Sequence, residues 1–213
     1  MRLRSSVLFL SPFFLALHGT LHAADKDRMK WDKIYSGKEY VYGAVPVTFL
    51  KDNVKLLPKG RALVLAMGEG RNAVFLAEHG FDVEGVDISE VALKKSLLLA
   101  KERGVGITPI AADLEKYDVK EDAYDVITCF NYLQRDLAPK MKNGLKPGGM
   151  IIFQTYTIDH LKYKRGPSNK AFLLKRNELL DMFRGMHIVY YSETDTGKKV
   201  VASLIAQKKK TGE

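Results

Sequence analysis

Short apolar runs alternate with amphipathic segments along most of the chain. Five apolar runs have the length of buried strands: 62–66, 81–87, 107–111, 123–130 and 150–156. Three segments between them carry apolar residues at helical spacing: about 72–79, 93–100 and 133–143. Strands that alternate with helices in this way predict an α/β fold with a mostly parallel sheet covered on both faces.

The end of the chain breaks this alternation. Two strand-like runs, 188–193 and 200–206, are joined only by residues 194–199. Because that loop is too short for a helical crossover, the two runs should form an antiparallel hairpin. We therefore predict one Rossmann-like, doubly wound, seven-stranded sheet that is mostly parallel and has an antiparallel C-terminal hairpin strand.

A glycine-containing turn, with Gly68 and Gly70, connects the first predicted strand to the first predicted helix of this sheet. Such a turn lets main-chain N–H groups approach a ligand at a helix N-terminus. Gly68-x-Gly70-x-x-Ala73 fits a dinucleotide fingerprint, and Asp87 lies near the distance at which an acidic residue holds a ribose. A turn that only tightens a strand–helix junction is the structural alternative.

The N-terminal residues resemble a targeting segment. Arg2 and Arg4 precede an apolar stretch from Val7 to Leu17. We predict that residues 1–24 are an export signal or membrane anchor, placing the protein in a bacterial periplasm or at the inner membrane. An ordinary N-terminal helix of a cytoplasmic protein is the alternative. Residues 25–30 are then a polar linker at which the folded domain, 25–207, could begin, and residues 208–213 are a basic, polar tail.

Composition narrows the possible functions. The 213 residues are 46% hydrophobic and 28% charged, which suits one globular domain. Part of the net charge of +9 lies at the two ends of the chain, and no basic face with interleaved aromatics is visible, so no nucleic-acid partner is expected. The single cysteine, Cys129, excludes an internal disulfide and a cysteine-clustered zinc site. Its apolar surroundings predict a buried, inert thiol, and we predict no metal site.

Four motifs together give the chain a family resemblance. They are Ala66-Met-Gly-Glu-Gly-Arg-Asn72, Gly85-Val-Asp-Ile-Ser89, Ala112-Asp113 and Leu145-Lys-Pro-Gly-Gly149. In this order they resemble the motifs of class I S-adenosylmethionine-dependent methyltransferases. The resemblance runs from about residue 31 to 207 and is closest to the small branch that contains tellurite-resistance and thiopurine-type enzymes.

The resemblance implies S-adenosylmethionine as the cofactor, with Asp87 accepting from the ribose hydroxyls, Ile88 packing on the adenine and Asp113 accepting from its amine. The full implied set is Ala66, Met67, Gly68, Glu69, Gly70, Asn72, Asp87, Ile88, Ala112, Asp113 and Asn131. Two positions depart from the family pattern. Val64 stands where an acidic residue is usual, and Ala66 replaces a glycine, which is tolerable if its φ is negative.

The acceptor is less defined. A thiol, or a selenium or tellurium oxyanion, needs little or no general base, and no histidine or carboxylate pair is evident as one. We predict a small soft nucleophile as acceptor. The predicted catalytic edge is Asn131, Tyr132 and Arg135, and the predicted acceptor-binding residues are Tyr42, Tyr132, Arg135 and His160. An NAD-type or non-catalytic nucleotide-binding protein is the alternative function.

Overall fold

The computed structural model describes residues 18–210 and 212, and of residues 18–23 it describes the backbone alone. The strands are β1 Arg61–Leu65, β2 Asp82–Asp87, β3 Thr108–Ala111, β4 Tyr124–Phe130, β5 Leu145–Tyr156, β6 His187–Asp195 and β7 Val200–Gln207. The helices are α1 His18–Tyr35, α2 Thr48–Asn53, α3 Arg71–Glu78, α4 Glu90–Glu102, α5 Leu137–Gly144 and α6 Glu178–Met182.

All seven strands form one sheet in the order β3-β2-β1-β4-β5-β7-β6. The first five strands are parallel, whereas β7 is antiparallel to both of its neighbours. The predicted mostly parallel sheet with an antiparallel C-terminal hairpin is therefore confirmed. Strand order reverses between β1 and β4, and in open α/β sheets ligands bind at the carboxyl ends of the strands beside such a reversal.

The first strand shows why the central strands read as continuous apolar runs. Leu63 and Leu65 pack in the core on one face of the sheet, and Ala62 and Val64 pack in the core on the other. Successive side chains of a strand point to opposite faces, so a strand covered by helices on both sides has no solvent-facing position. Val64, only 2% exposed, therefore belongs to the apolar core.

The residues predicted as a polar linker lie within a helix. Helix α1 runs without interruption through residues 25–30, where an ion pair of 2.8 Å joins Arg28 to Asp25. The predicted linker is therefore helical, because this segment is polar but contains neither glycine nor proline to stop a helix. Most of the predicted export signal lies in residues 1–17, outside the described residues, and it stays a prediction. Within residues 18–210 and 212, no helix is long and apolar enough to cross a membrane.

Candidate active site

The turn after β1 is built from left-handed backbone. Gly68 and Gly70 have φ of 57° and 88°, and the first residue of the turn, Ala66, has φ of 51°. A Cβ on Gly70 would lie 2.5 Å from the Cβ of Ser96 in α4, so only glycine fits there. The turn consequently packs directly against α4 and begins α3 with its main-chain N–H groups at the edge of the sheet.

Asp87 ties this turn to the end of β2. One carboxylate oxygen accepts the Gly68 N–H at 2.7 Å, and the other accepts the Ser89 N–H at 2.9 Å. Its main-chain carbonyl accepts the N–H of Ala112 after β3 at 3.0 Å. Burial, aided by the nearby charge of Asp32, raises the pKa of Asp87, although the backbone N–H groups of Ser89, Gly68 and Ile88 act in the opposite direction.

A second carboxylate follows the neighbouring strand. Asp113 lies after β3, half-buried, and one of its oxygens accepts the N–H of Glu115 at 3.0 Å. Since β2 and β3 are parallel neighbours, Asp87 and Asp113 stand side by side at the same edge of the sheet. Tyr132, after β4, lies near Asp113, and burial raises the pKa of its phenol, so the group stays protonated.

A stretch that we name the cover segment, residues 32–42, folds back over the glycine turn. Lys95 of α4 donates to the main-chain carbonyls of Gly37 at 3.0 Å and Glu39 at 2.7 Å. The same ammonium lies 2.5 Å from a carboxylate oxygen of Glu69 in an ion pair that lacks the geometry of a directed hydrogen bond. The other Glu69 oxygen accepts the N–H of Val41 at 2.8 Å. This buried pair thus joins the turn, α4 and the cover segment.

The start of the cover segment is fixed to the same region. Asp32 accepts from the Ser89 hydroxyl at 2.6 Å and from the Val91 N–H at 3.3 Å, which places a carboxylate at the N-terminus of α4. Tyr35 is buried, and its hydroxyl would lie 3.2 Å from a Cβ on Gly68. The aromatic C-terminal end of α1 therefore packs over the glycine turn.

Three residues of the predicted cofactor set have side chains committed elsewhere. The Met67 side chain packs in the core against Gly85, where a Cβ would lie 2.0 Å from its sulfur. Glu69 is paired with Lys95, and the Asn72 side-chain oxygen accepts the Val47 N–H at 2.9 Å. These side chains support the site rather than face a ligand. The other predicted positions lie along the carboxyl edge: Ala66, Gly68, Gly70, Asp87, Ile88, Ala112, Asp113 and Asn131.

Arg135 binds other groups of the protein instead of being available to attract an anionic acceptor. Its guanidinium forms a bidentate pair with Glu178 at 2.5 and 3.1 Å. It also donates to the carbonyls of Ala171 at 2.9 Å and Leu173 at 3.2 Å. With its donors used in this way, Arg135 anchors the 171–178 segment, and the predicted catalytic and acceptor-binding roles do not fit the arrangement.

His160 is likewise occupied by the protein. It is 2% exposed, its Nε2 lies 2.6 Å from the Arg165 carbonyl, and its Nδ1 accepts the Val200 N–H at 3.3 Å. A carbonyl can only accept, so the ring proton is on Nε2. Both nitrogens are therefore used to fasten the loop after β5 to β7, and the predicted contact with an acceptor does not fit. Cys129 is fully buried and burial raises its pKa, as expected of an inert thiol.

Two cations at the edge were missed by sequence reasoning. Arg71 begins α3 and donates to the carbonyl of Tyr42 at 2.8 Å, with its guanidinium 5.9 Å from the ring of that predicted residue. Lys199 ends the β6–β7 loop and is half-buried. The predicted hairpin could have placed Lys199 at this edge. An antiparallel β7 must start where β5 ends, and Tyr156 pairs with Val201.

The left-handed Ala66 yields a stability prediction. A non-glycine residue with positive φ costs roughly 1–2 kcal/mol, and glycine regains part of this at the expense of unfolded-state entropy. We expect Ala66→Gly to raise the free energy of unfolding by about 0.5–1 kcal/mol in chemical denaturation. The matched substitution Ala73→Gly, inside α3, should instead lower it by about 1 kcal/mol. Destabilisation by Ala66→Gly would show that this backbone is unstrained.

Comparison with known proteins identifies the central part of the chain. Residues 62–149 match the family model described as a methyltransferase domain. A ubiquinone biosynthesis O-methyltransferase of Idiomarina loihiensis is 32% identical over 52% of this chain and 48% of its own length. The enzyme of the same name from Burkholderia orbicola is 32% identical over 61% of this chain and 65% of its own. The chain thus spans less than two thirds of either relative.

The solved structures agree on the fold. TehB from Haemophilus influenzae superposes with a TM-score of 0.65 at 21% identity, covering 85% of this chain and 67% of that protein. At this identity the likeness concerns the architecture alone. The more specific resemblance to the tellurite-resistance and thiopurine-type branch therefore stays a prediction.

Proposed function

We propose that this chain, whose residues 62–149 match a methyltransferase domain, is a class I S-adenosylmethionine-dependent methyltransferase that methylates a small molecule at a soft nucleophile. The acceptor classes are thiols and the oxyanions of selenium or tellurium. When bound, the cofactor would supply a methyl group carried on a sulfonium. The acceptor atom would bond to the methyl carbon as the sulfonium–methyl bond breaks, with the electron pair of that bond staying on the leaving sulfur. The proton of a thiol acceptor would go to solvent.

The chemistry of the edge residues supports a cofactor of this kind. Asp87 and Asp113 follow adjacent strands and offer carboxylate oxygens to a ribose and to an exocyclic amine. The Asp87 carboxylate also fixes the Gly68 N–H, so the ribose partner and the turn are positioned together. The methionine end fits less fully, because Val64 is core and Glu69 is paired with Lys95. Main-chain groups of the turn and Asn131 would hold that end.

The single observation that favours a soft acceptor is that Tyr42, Tyr156 and His160 are not available as general bases. Burial raises the pKa of Tyr42 and Tyr156, which therefore remain phenols, and both nitrogens of His160 are engaged. Neither group offers a base for an alcohol. Nucleophiles that attack through a thiolate or a lone pair need no such base.

Two other functions are distinguishable. An NAD-type protein is not favoured. The sheet of NAD-binding Rossmann proteins ends in a parallel sixth strand, whereas in this chain an antiparallel β7 lies between β5 and β6. Methyl transfer to a phenolic oxygen is supported by the ubiquinone O-methyltransferase relatives at 32% identity. That reaction normally requires a general base, which contributes about 10²–10⁴-fold.

The experiment compares matched sulfur and oxygen acceptors on the full chain. Radiolabelled methyl transfer is measured with 4-mercaptobenzamide and with 4-hydroxybenzamide, which share one ring and one substituent. We expect the thiol to react at least about 100-fold faster, since neither the two tyrosines nor His160 can serve as the base that a phenol needs. Equal rates would replace the soft-nucleophile proposal with phenol methylation. Calorimetric preference for NAD over S-adenosylhomocysteine would remove methyl transfer itself.

A further inference from the structure

A polar pair joins two strands near the carboxyl edge, on a sheet face that is apolar one step further in. The Gln154 amide nitrogen of β5 donates to the Ser203 hydroxyl of β7 at 2.7 Å, and the two residues are direct partners in the antiparallel register. The next pair on the same face, Ile152 and Ile205, belongs to the apolar core. Gln154 and Ser203 are only 7% and 3% exposed, so polar side chains occupy positions where apolar ones would be expected.

The pair lies beside the residues of the candidate site. Gln154 is level with Phe130, the last residue of β4, and its main-chain carbonyl accepts the N–H of Asn131 at 2.9 Å. Asn131 is one of the predicted edge residues, and its backbone is left-handed with φ of 57°. Non-glycine residues in that conformation are uncommon and cluster at functional sites. Gln154 is therefore hydrogen-bonded through its main chain to the edge at which methyl transfer is proposed.

The polar pair has unused hydrogen-bonding capacity. The Gln154 side-chain oxygen accepts no hydrogen bond from residues 18–210 or 212, and the Ser203 hydroxyl donates none to them. The fully enclosed side-chain atoms that lack a partner in the same part of the chain are Glu69 Oε1, Thr128 Oγ1 and Thr157 Oγ1. The Gln154 oxygen is not one of these, so a molecule at the edge can reach it. Buried amides and hydroxyls normally have partners, and this pair offers one free acceptor and one free donor to a ligand.

The chemistry of the pair suits a neutral ligand group. An amide and a hydroxyl are both uncharged, so neither replaces the hydration that an ionised group loses on burial. A carboxamide can present its carbonyl oxygen to the Ser203 hydroxyl and an N–H to the Gln154 oxygen. A methyl ketone of nearly the same shape can make only the first of these hydrogen bonds.

We infer that Gln154 and Ser203 form a subsite that binds a neutral group of the methyl acceptor, one that both donates and accepts a hydrogen bond, as a carboxamide does. This inference rests on the proposed function and narrows it, because the acceptor is then an organic molecule rather than an inorganic oxyanion. Gln154 determines specificity through its side-chain oxygen. Ser203 fixes the Gln154 amide nitrogen and donates to the carbonyl of the ligand.

The test compares mercaptobenzamides with mercaptoacetophenones, in which a methyl group replaces the amide NH2 group. The 2-, 3- and 4-isomers of each thiol are measured with the full chain, so that the distance between the sulfur and the polar group varies. For at least one isomer we expect kcat/KM to be about 5–50-fold higher for the amide than for the ketone, mainly through a lower KM, because only the amide can donate to the Gln154 oxygen.

Two substitutions should give different signatures. Gln154→Met keeps a similar side-chain length without the amide, so the preference for the amide should fall to within about twofold. Ser203→Ala should raise KM about 3–20-fold for the amide and the ketone alike, because both present a carbonyl to the lost hydroxyl. Gln207→Met is the control, because Gln207 lies at the other end of β7 and donates to the Gly148 carbonyl. A ratio of two substrates on one variant does not depend on how much of that variant is folded.

Equilibrium binding separates this inference from the proposed function. Calorimetry measures each amide and its matched ketone against the full chain saturated with S-adenosylhomocysteine. Tighter binding of an amide that is lost in Gln154→Met, without any turnover, would support the subsite and contradict methyl transfer to these acceptors. Equal binding and turnover of amide and ketone for all three isomers, or a preference that persists in Gln154→Met, would overturn the subsite. Selenite methylation with a kcat/KM above that of every organic thiol would also overturn it.

Discussion

Replacing Asp87 with asparagine should lower the affinity for S-adenosylhomocysteine by about 100-fold or more. The carboxylate is the proposed acceptor for two ribose hydroxyls, and hydrogen bonds to a charged group contribute roughly 1.5–3 kcal/mol each. The same substitution weakens the contacts to the Gly68 and Ser89 N–H groups that shape the turn. Calorimetric titration measures the change, with Asp82→Asn, at the exposed start of the same strand, as the control.

The pH dependence of binding gives an independent check. Burial raises the pKa of Asp87, and binding of the ribose needs its ionised form. Affinity should therefore fall as the pH falls through this raised pKa, at a higher pH than an ordinary aspartate would produce. Asp87→Asn should remove this pH dependence. An affinity within threefold of wild type in Asp87→Asn would contradict the ribose assignment.

Lys95→Met should destabilise the protein more than any surface substitution. It leaves Glu69, whose side chain is 3% exposed, as a buried carboxylate without its cation. Breaking a buried pair in this way costs about 3–5 kcal/mol, which corresponds to a fall in the thermal midpoint of roughly 6–20 °C. Differential scanning calorimetry measures that shift. Lys94→Met, at an exposed position beside it in α4, should shift the midpoint by no more than about 2 °C.

The double variant tests whether the loss comes from an unpaired charge. Glu69→Gln combined with Lys95→Met removes both charges, so it should recover at least half of the lost stability. The Lys95→Met variant should also bind S-adenosylhomocysteine more weakly, because the cover segment loses its contacts at Gly37 and Glu39. Equal destabilisation in the single and double variants would mean that packing of the Lys95 stem, rather than charge, accounts for the effect.

The sheet was predictable because its signals are local. Apolar runs of strand length and the short loop before β7 each follow from a few adjacent residues. The positions of Asp87 and Asp113 at one edge then follow from parallel pairing. The match of residues 62–149 to a methyltransferase domain was also predictable, because the four motifs occur in order within that range.

The acceptor side was not predictable to the same extent. Whether a cation is free depends on which distant carboxylate reaches it, and the Arg135–Glu178 pair spans 43 positions of sequence. The same holds for Glu69, which lies two positions before Arg71 in sequence but pairs with Lys95 in space. Ala66 is a conformational example, since its φ of 51° is imposed by the turn and not by its own preference.

The way in which the cover segment is attached bears on how this protein could evolve. The hydrogen bonds of the Lys95 and Glu69 side chains to it all involve main-chain groups, namely the carbonyls of Tyr35, Gly37 and Glu39 and the N–H of Val41. Every amino acid except proline supplies both of these groups. The exposed side chains of Lys38, Glu39 and Val41 can thus change without loss of these hydrogen bonds, whereas Tyr40 also packs against Lys95. Natural selection could therefore alter the outer surface of the segment while the two anchoring charges stay unchanged.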